Sequence, residues 1–178
     1  MQLRQLTFLA CLYTSCLAAS SFQDVLDCIT TVDNEVTTFG NQVVAFPSIG
    51  GTMKKAWDIH SSAYNIIDAV RNTTDTINDI QAPVDSIEMF DAPAQKLIPA
   101  IKHGLAAIIE KKDAMATVGI GRVPAIIALT LINLKNSVID LETAILSITP
   151  LGKEEMVVAF IAEIKDELAT AMTVYQHQ

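Results

Sequence analysis

Catalysis and metal binding begin from a few side-chain types at set spacings, and this chain is poor in both. Its imidazoles are His60, His103 and His177, which form neither a His-Glu-x-x-His zinc helix nor a Glu-x-x-His pair repeated on two helices. No Gly-x-Ser-x-Gly elbow presents a nucleophile, and a serine triad would have to recruit one of those same histidines. Gly119-Ile120-Gly121-Arg122 is too short to cradle a phosphate, and no acidic loop with a central glycine could hold calcium. The 20 Asp and Glu residues fall mainly on polar faces, the ordinary place for a solvated carboxylate. Catalytic residues, metal ligands and cofactors are therefore all expected to be absent, and the chain is not expected to be an enzyme.

Charge removes another class. The 12 Lys and Arg residues are outnumbered and scattered, giving a formal net charge of −8, whereas nucleic-acid binding needs clustered cations that displace counterions. What the chain has in quantity is apolar surface: 51% of its residues are hydrophobic, with only 7 Gly and 6 Pro, so a packed core is expected. Apolar ligands enter helical bundles between helices, where apolar walls and a few polar groups define a pocket. The residues whose spacing puts them on such inner faces are Phe39, Phe46, Trp57, His60, Tyr64, Ile67, Leu97, Ile101, Leu105, Ile127, Leu131, Phe160 and Ile164. Ordinary core packing competes with the pocket reading at every one of them. His60 and Tyr64 are the candidate polar handles for a carboxylate at a pocket mouth, and Lys112, on the extension of the third helix's apolar stripe, is another group that could meet one.

The elements that must position these residues are helices. Phe22, Val25, Ile29, Val32, Val36, Phe39, Val43 and Phe46 recur at alternating steps of three and four, which places them on one helical face. Pro47, Gly50 and Gly51 end that helix, and Thr52 can cap the next, which carries Trp57, His60, Tyr64 and Ile67 until Pro83 stops it. A third helix is expected from Ile87 and Phe90 to Met115, with Pro93 in its first turn, a bend at Pro99 and a stop at Gly119 and Gly121. The fourth, opening at Pro124, is apolar on more than one stripe and should lie centrally, and the fifth follows Thr149-Pro150 with Glu154 and Glu155 in its first turn. About five amphipathic helices with short connections imply an all-α, single-domain bundle whose neighbours run antiparallel.

The opening residues read differently. Arg4, an apolar stretch from Leu6 to Leu17, and the small residues Ala18, Ala19 and Ser20 have the layout of a secretory signal peptide. The run is too short to span a bilayer. Residues 1–19 are therefore expected to be the signal and 20–178 the domain, secreted to the extracellular space or cell wall without a transmembrane span. Cys11 and Cys16 would leave with the signal, so the domain keeps Cys28 alone and has no internal disulfide. Asn72-Thr73-Thr74 makes Asn72 the candidate glycosylation site.

Three segments taken together resemble a known family. They are the Asp- and Thr-dotted first helix from Asp24-Val25-Leu26 through Val32-Asp33 to Thr37-Thr38, the run Ile108-Ile109-Glu110-Lys111-Lys112 before Gly119-Ile120-Gly121, and the close Ala144-Ile145-Leu146-Ser147-Ile148-Thr149-Pro150. In this order they are similar to the fungal hydrophobic surface binding proteins of the HsbA type, which include antigenic cell-wall galactomannoproteins. The chain departs from relatives in being Ile/Val-rich rather than Ser/Thr/Ala-rich and in ending without a Ser/Thr-rich extension. The resemblance implies an all-helical bundle, no catalytic residues, and adsorption to hydrophobic surfaces or retention of long-chain fatty acids among the helices. It also implies a secreted hydrolase as a further partner. The competing expectation is a structural, antigenic cell-wall mannoprotein with no small-molecule ligand.

Overall fold

The computed structural model describes residues 21–80, 91–118 and 122–176. The signal at 1–19, the breaker Pro83, the start at Ile87 and Phe90, the turn at Gly119–Gly121 and His177 lie outside the described residues. Among the described residues every regular element is helical: α1 Phe22–Val44, α2 Met53–Asn78, α3 Asp91–Glu110, α4 Lys112–Ala116, α5 Val123–Ile148 and α6 Glu154–Gln176.

Local chemistry sets the ends. Ser21 and Asp24 form a capping box at the start of α1: the Ser21 side chain accepts from the Asp24 N–H, and the Asp24 carboxylate accepts from the Ser21 N–H at 2.6 Å. The Ser21 hydroxyl, donating to the same carboxylate at 2.7 Å, and then the Ser21 N–H hold the Asp24 carboxyl below its ordinary pKa. Thr52 caps α2 as its sequence position implies, accepting from the Lys55 N–H. Between them Gly51 cannot be larger, because a Cβ there would lie 2.6 Å from the ring of the fully buried Phe46.

The third expected helix is divided. Its regular part ends at Glu110, and a single turn, α4, continues from Lys112. Inside α3, Pro99 supplies no N–H for the carbonyl of Gln95, and the helix keeps Pro99 on its exposed side.

The five long helices form a closed ring in the order α1, α2, α5, α6, α3 and back to α1. Cys28 on α1 meets Thr76 on α2 at 3.5 Å, while Gln42 shares a groove with Ile59, so α1 and α2 are antiparallel. Asp33 pairs with Lys96, and Gly40 lies against Gly104, so α1 and α3 run parallel. The pairs His60–Thr130 and Tyr64–Asn133 show that α2 and α5 are parallel too. So are α3 and α6, joined by Lys102–Glu163 and by Ile108–Tyr175. Consecutive long helices alternate in direction as expected, but α1/α3, α2/α5 and α3/α6 are parallel neighbours, a consequence of ring order that connection length does not encode.

One expectation is corrected. α5 is not central but one stave of the ring, and it leaves Leu129 and Ile139 exposed on its outer side. With five helices of similar length around one axis, no helix needs to occupy the middle, and the axis is filled by side chains from all five.

Candidate functional site: an apolar cavity inside the ring

Every long helix contributes to the axis. α1 supplies Val32, Val36 and Phe39; α2 Ile66 and Val70; α3 Leu97, Ile101, Gly104 and Leu105. α5 adds Leu134, Val138 and Leu141, and α6 adds Phe160, Ile161, Ile164 and Leu168. Together they enclose a cavity of about 70 Å³ whose wall contains no polar side chain. Repeats of three and four explain this convergence, since Val32, Val36 and Phe39, or Leu97, Ile101 and Leu105, fall on one stripe of their helix.

Gly104 adds something a larger residue would remove. It sits beneath the Phe39 ring, and a Cβ at Gly104 would come within 3.3 Å of Phe39 Cδ1. The close approach of Gly40 and Gly104 brings α1 and α3 together near the C-terminal end of α1. Phe39 is also the wall of a second, smaller cavity of about 20 Å³, lined by Ile59, His60, Ala63, Ile108, Ile127, Thr130 and Leu131. One aromatic ring thus separates two apolar spaces.

Of the residues expected to line a pocket, Phe39, Leu97, Ile101, Leu105, Phe160 and Ile164 line the larger cavity, and Phe39, His60, Ile127 and Leu131 the smaller. Phe46 and Ile67 are fully buried core outside both. Trp57 lies apart: it is 55% exposed, its ring 5.0 Å from His60 on the outer side of α2. The apolar stripe of α2 is carried by Ala56, Ile59, Ala63, Ile66 and Val70, and Trp57 stands one position beyond Ala56, where a helical side chain is turned by about 100°. Val32, Val36, Ile66, Val70, Leu134, Val138, Leu141 and Leu168 are not among the residues expected to line a pocket, although Val32 and Val36 stand on the expected stripe of the first helix. The signal that finds them is the whole stripe of each helix rather than its largest residues.

The polar handles already have partners. Thr130 donates its hydroxyl to the Ile126 carbonyl at 2.9 Å, so the 3.2 Å contact with His60 Nδ1 makes the imidazole the donor there. Desolvation lowers the His60 pKa, favouring the neutral ring. Tyr64 accepts from the Asn133 amide at 3.3 Å. Both residues tie α2 to α5. Lys112 donates to the Val174 carbonyl at the end of α6, 5.8 Å above the Tyr175 ring, where a cation meets the negative end of the helix. His103 is exposed, Cys28 is half-buried against Thr76, and Asn72 is exposed on α2. Among the described residues no group of His, Cys, Asp and Glu is placed to hold a metal ion.

Residues 22–147 match the sequence pattern of a family described as Hydrophobic surface binding protein A. No curated protein sequence matches the chain. Among solved structures, ligand binding domain 1 of the Penicillium marneffei MP1 protein, complexed with arachidonic acids, superimposes with a TM-score of 0.74 at 19% identity, covering 84% of this chain and 94% of that one. Ligand binding domain 2 of the same protein, complexed with multiple arachidonic acids, gives a TM-score of 0.78 at 13% identity, over 89% and 97%. The protein AFMP4P in complex with palmitic acid gives 0.72 at 15%, over 86% and 98%. At such identities the shared property is the helical architecture.

Proposed function

We propose that this chain, which belongs to the hydrophobic surface binding protein A family, is a non-catalytic binder of apolar matter that holds one long aliphatic chain along the axis of its helical ring. The observation that carries the reading is the purely apolar cavity to which all five long helices contribute. Bound arachidonic and palmitic acids in bundles of the same architecture support it. Phe39, Leu97, Ile101, Leu105, Phe160 and Ile164 form the wall in this proposal. His60, Ile127 and Leu131 line a continuation beyond Phe39.

Size imposes a condition. Binding pockets for small molecules usually measure about 300–1,000 Å³, and even benzene occupies an engineered cavity of about 150 Å³. At about 70 Å³ the unliganded ring is too tight for a fatty acid and must widen. The place to widen is between α3 and α6. There α3 carries Pro99 and Gly104, and the helices are bridged at mid-height by Lys102 with Glu163 and Glu167, whose side chains are all more than a third exposed. A ring that never widens is the alternative reading, a wall mannoprotein with no small-molecule ligand, and the small resting cavity is what favours it.

Secretion is part of the same proposal. Arg4, the apolar Leu6–Leu17 stretch and the small residues Ala18, Ala19 and Ser20 support a cleaved address by their layout. Asn72, exposed on α2, is available for a glycan, and a secreted hydrolase brought to a greasy surface is the proposed protein partner. N-terminal sequencing of protein collected from the medium checks the first point, with a start near Ala18 or Ala19 expected.

Titration of the purified domain with saturated fatty acids of twelve, fourteen and sixteen carbons tests the central claim. Saturable binding is expected, its affinity rising roughly fourfold per methylene, since each buried methylene contributes about 0.8 kcal/mol. Flat titrations at every length would overturn it in favour of the ligand-free alternative.

A further inference from the structure

Helix α1 and helix α2 leave a groove of about 470 Å³ between them on the flank of the ring, and unlike the axial cavity it is polar. Two observations mark it. Among the described residues, the buried side-chain polar atoms without a hydrogen-bond partner are Gln42 Oε1 and Ser62 Oγ, and both residues line this groove. Ser62 is only 3% exposed. Other helical hydroxyls in the fold, those of Thr73, Thr130 and Ser137 among them, donate to the carbonyl four residues back, whereas that of Ser62 does not. A buried hydroxyl and a buried amide oxygen left unpaired are costly, and groups kept in that state in a folded protein call for an explanation.

The second observation is continuity. Ile59 lines both the polar groove and the small apolar cavity, and Phe39 lines both the small cavity and the axial one. The groove and the axis are thus linked through two shared side chains, Ile59 and Phe39.

We infer that the α1–α2 groove seats the polar head of the amphiphile whose tail occupies the axis, and that the head is neutral and hydroxyl-bearing, as in a monoacylglycerol or a fatty alcohol. The inference rests on the axial-binding reading above. Gln42 Oε1 requires a donor, which an ionised carboxylate does not have, whereas a hydroxyl donates to Gln42 and accepts from Ser62. Lys54 is paired with Asp58 at 2.8 Å, and Lys55, the other cation of the groove, is exposed, so solvent screens its charge from the buried Gln42 and Ser62.

The test compares ligands that share a sixteen-carbon tail: monopalmitoylglycerol, hexadecanol, palmitate and hexadecane, with free glycerol as a head-only control. Monopalmitoylglycerol is expected to bind most tightly. Ser62→Ala and Gln42→Met should each weaken its binding by about three- to tenfold, the worth of one hydrogen bond, and leave hexadecane unaffected. Ser62→Ala should at the same time raise the unliganded melting temperature by roughly 2–4 °C, because an unpaired buried hydroxyl is removed. A purely structural role for Ser62 would move both measurements downward.

Equal affinity for monopalmitoylglycerol and hexadecane, or equal weakening of all four tails by the substitutions, overturns the head-group site while leaving axial binding intact. Binding of glycerol alone as tightly as its acylated form would make the groove a free polyol site and also overturn the inference. If none of the sixteen-carbon compounds binds, both readings fall together.

Discussion

Two of the three seams that join parallel helices around the cavity, α2 to α5 and α3 to α6, are closed by different chemistry. Between α2 and α5 the ties are partly buried hydrogen bonds, His60 to Thr130 and Asn133 to Tyr64. Between α3 and α6 the mid-height ties are ion pairs from Lys102 to Glu163 and Glu167, at 2.7 and 3.7 Å, open to water and to salt. Breaking a buried bond strands polar groups away from water, whereas breaking an exposed ion pair hands both charges to solvent. The α3–α6 seam is therefore the one that opens at small cost, and only near its far end does the buried Tyr175 hydroxyl hold it by donating to the Ile108 carbonyl at 2.7 Å.

The most forceful way to break this comparison is to lock each seam in turn. In a Cys28→Ala background, a short thiol cross-linker between Lys102→Cys and Glu163→Cys should abolish palmitate uptake, while the same linker between Tyr64→Cys and Asn133→Cys should leave it intact. Equal effects in a fluorescence uptake assay would show the two seams to be equivalent. Next in size is Phe39→Ala, which removes the wall between the cavities. Stability measured by denaturant titration should fall by about 3–5 kcal/mol, with the preferred fatty acid becoming longer.

Tyr175→Phe sharpens the picture at the far end of α3–α6. It leaves the Ile108 carbonyl unpaired and should cost about 1–3 kcal/mol in the same titration, with faster uptake. Lys102→Met should speed uptake by only about two- to fivefold, and salt should reproduce that gain in the parent chain but not in the variant.

The smallest effect expected is that of pH on the α2–α5 seam. Desolvation holds the His60 pKa below its ordinary 6.5 in the folded chain, so the unfolded chain takes up the proton first as pH falls. The stability it contributes is full above pH 6.5, declines as pH drops through 6.5 toward the folded value, and then levels. Replacing His60 by Gln should flatten that slope in thermal melts.

Much of the architecture was legible in the chain because helical faces are a local, periodic property. The stripe from Phe22 to Phe46, the Thr52 cap and the termination at Thr149-Pro150 needed nothing beyond spacing and side-chain chemistry. The site was legible in part. Phe39, Leu97, Ile101, Leu105, Phe160 and Ile164 fall on the cavity wall, whereas Trp57 was drawn to the stripe by its size and faces water. Gln42 and Ser62 gave no signal, because an unpaired polar atom is a statement about neighbours and not about residue type.

Sequence by itself determined that this chain makes amphipathic helices, that the described ones share a single cysteine and so no disulfide, and that their inner faces are aliphatic. Tertiary structure alone decided that α5 is a stave and not an axle, that α3 meets α6 in parallel, and that Ile59 and Phe39 stand between a polar groove and an oily axis. The reason is range: periodicity acts over one turn of helix, whereas ring order depends on how five faces divide the burial of one shared core among them.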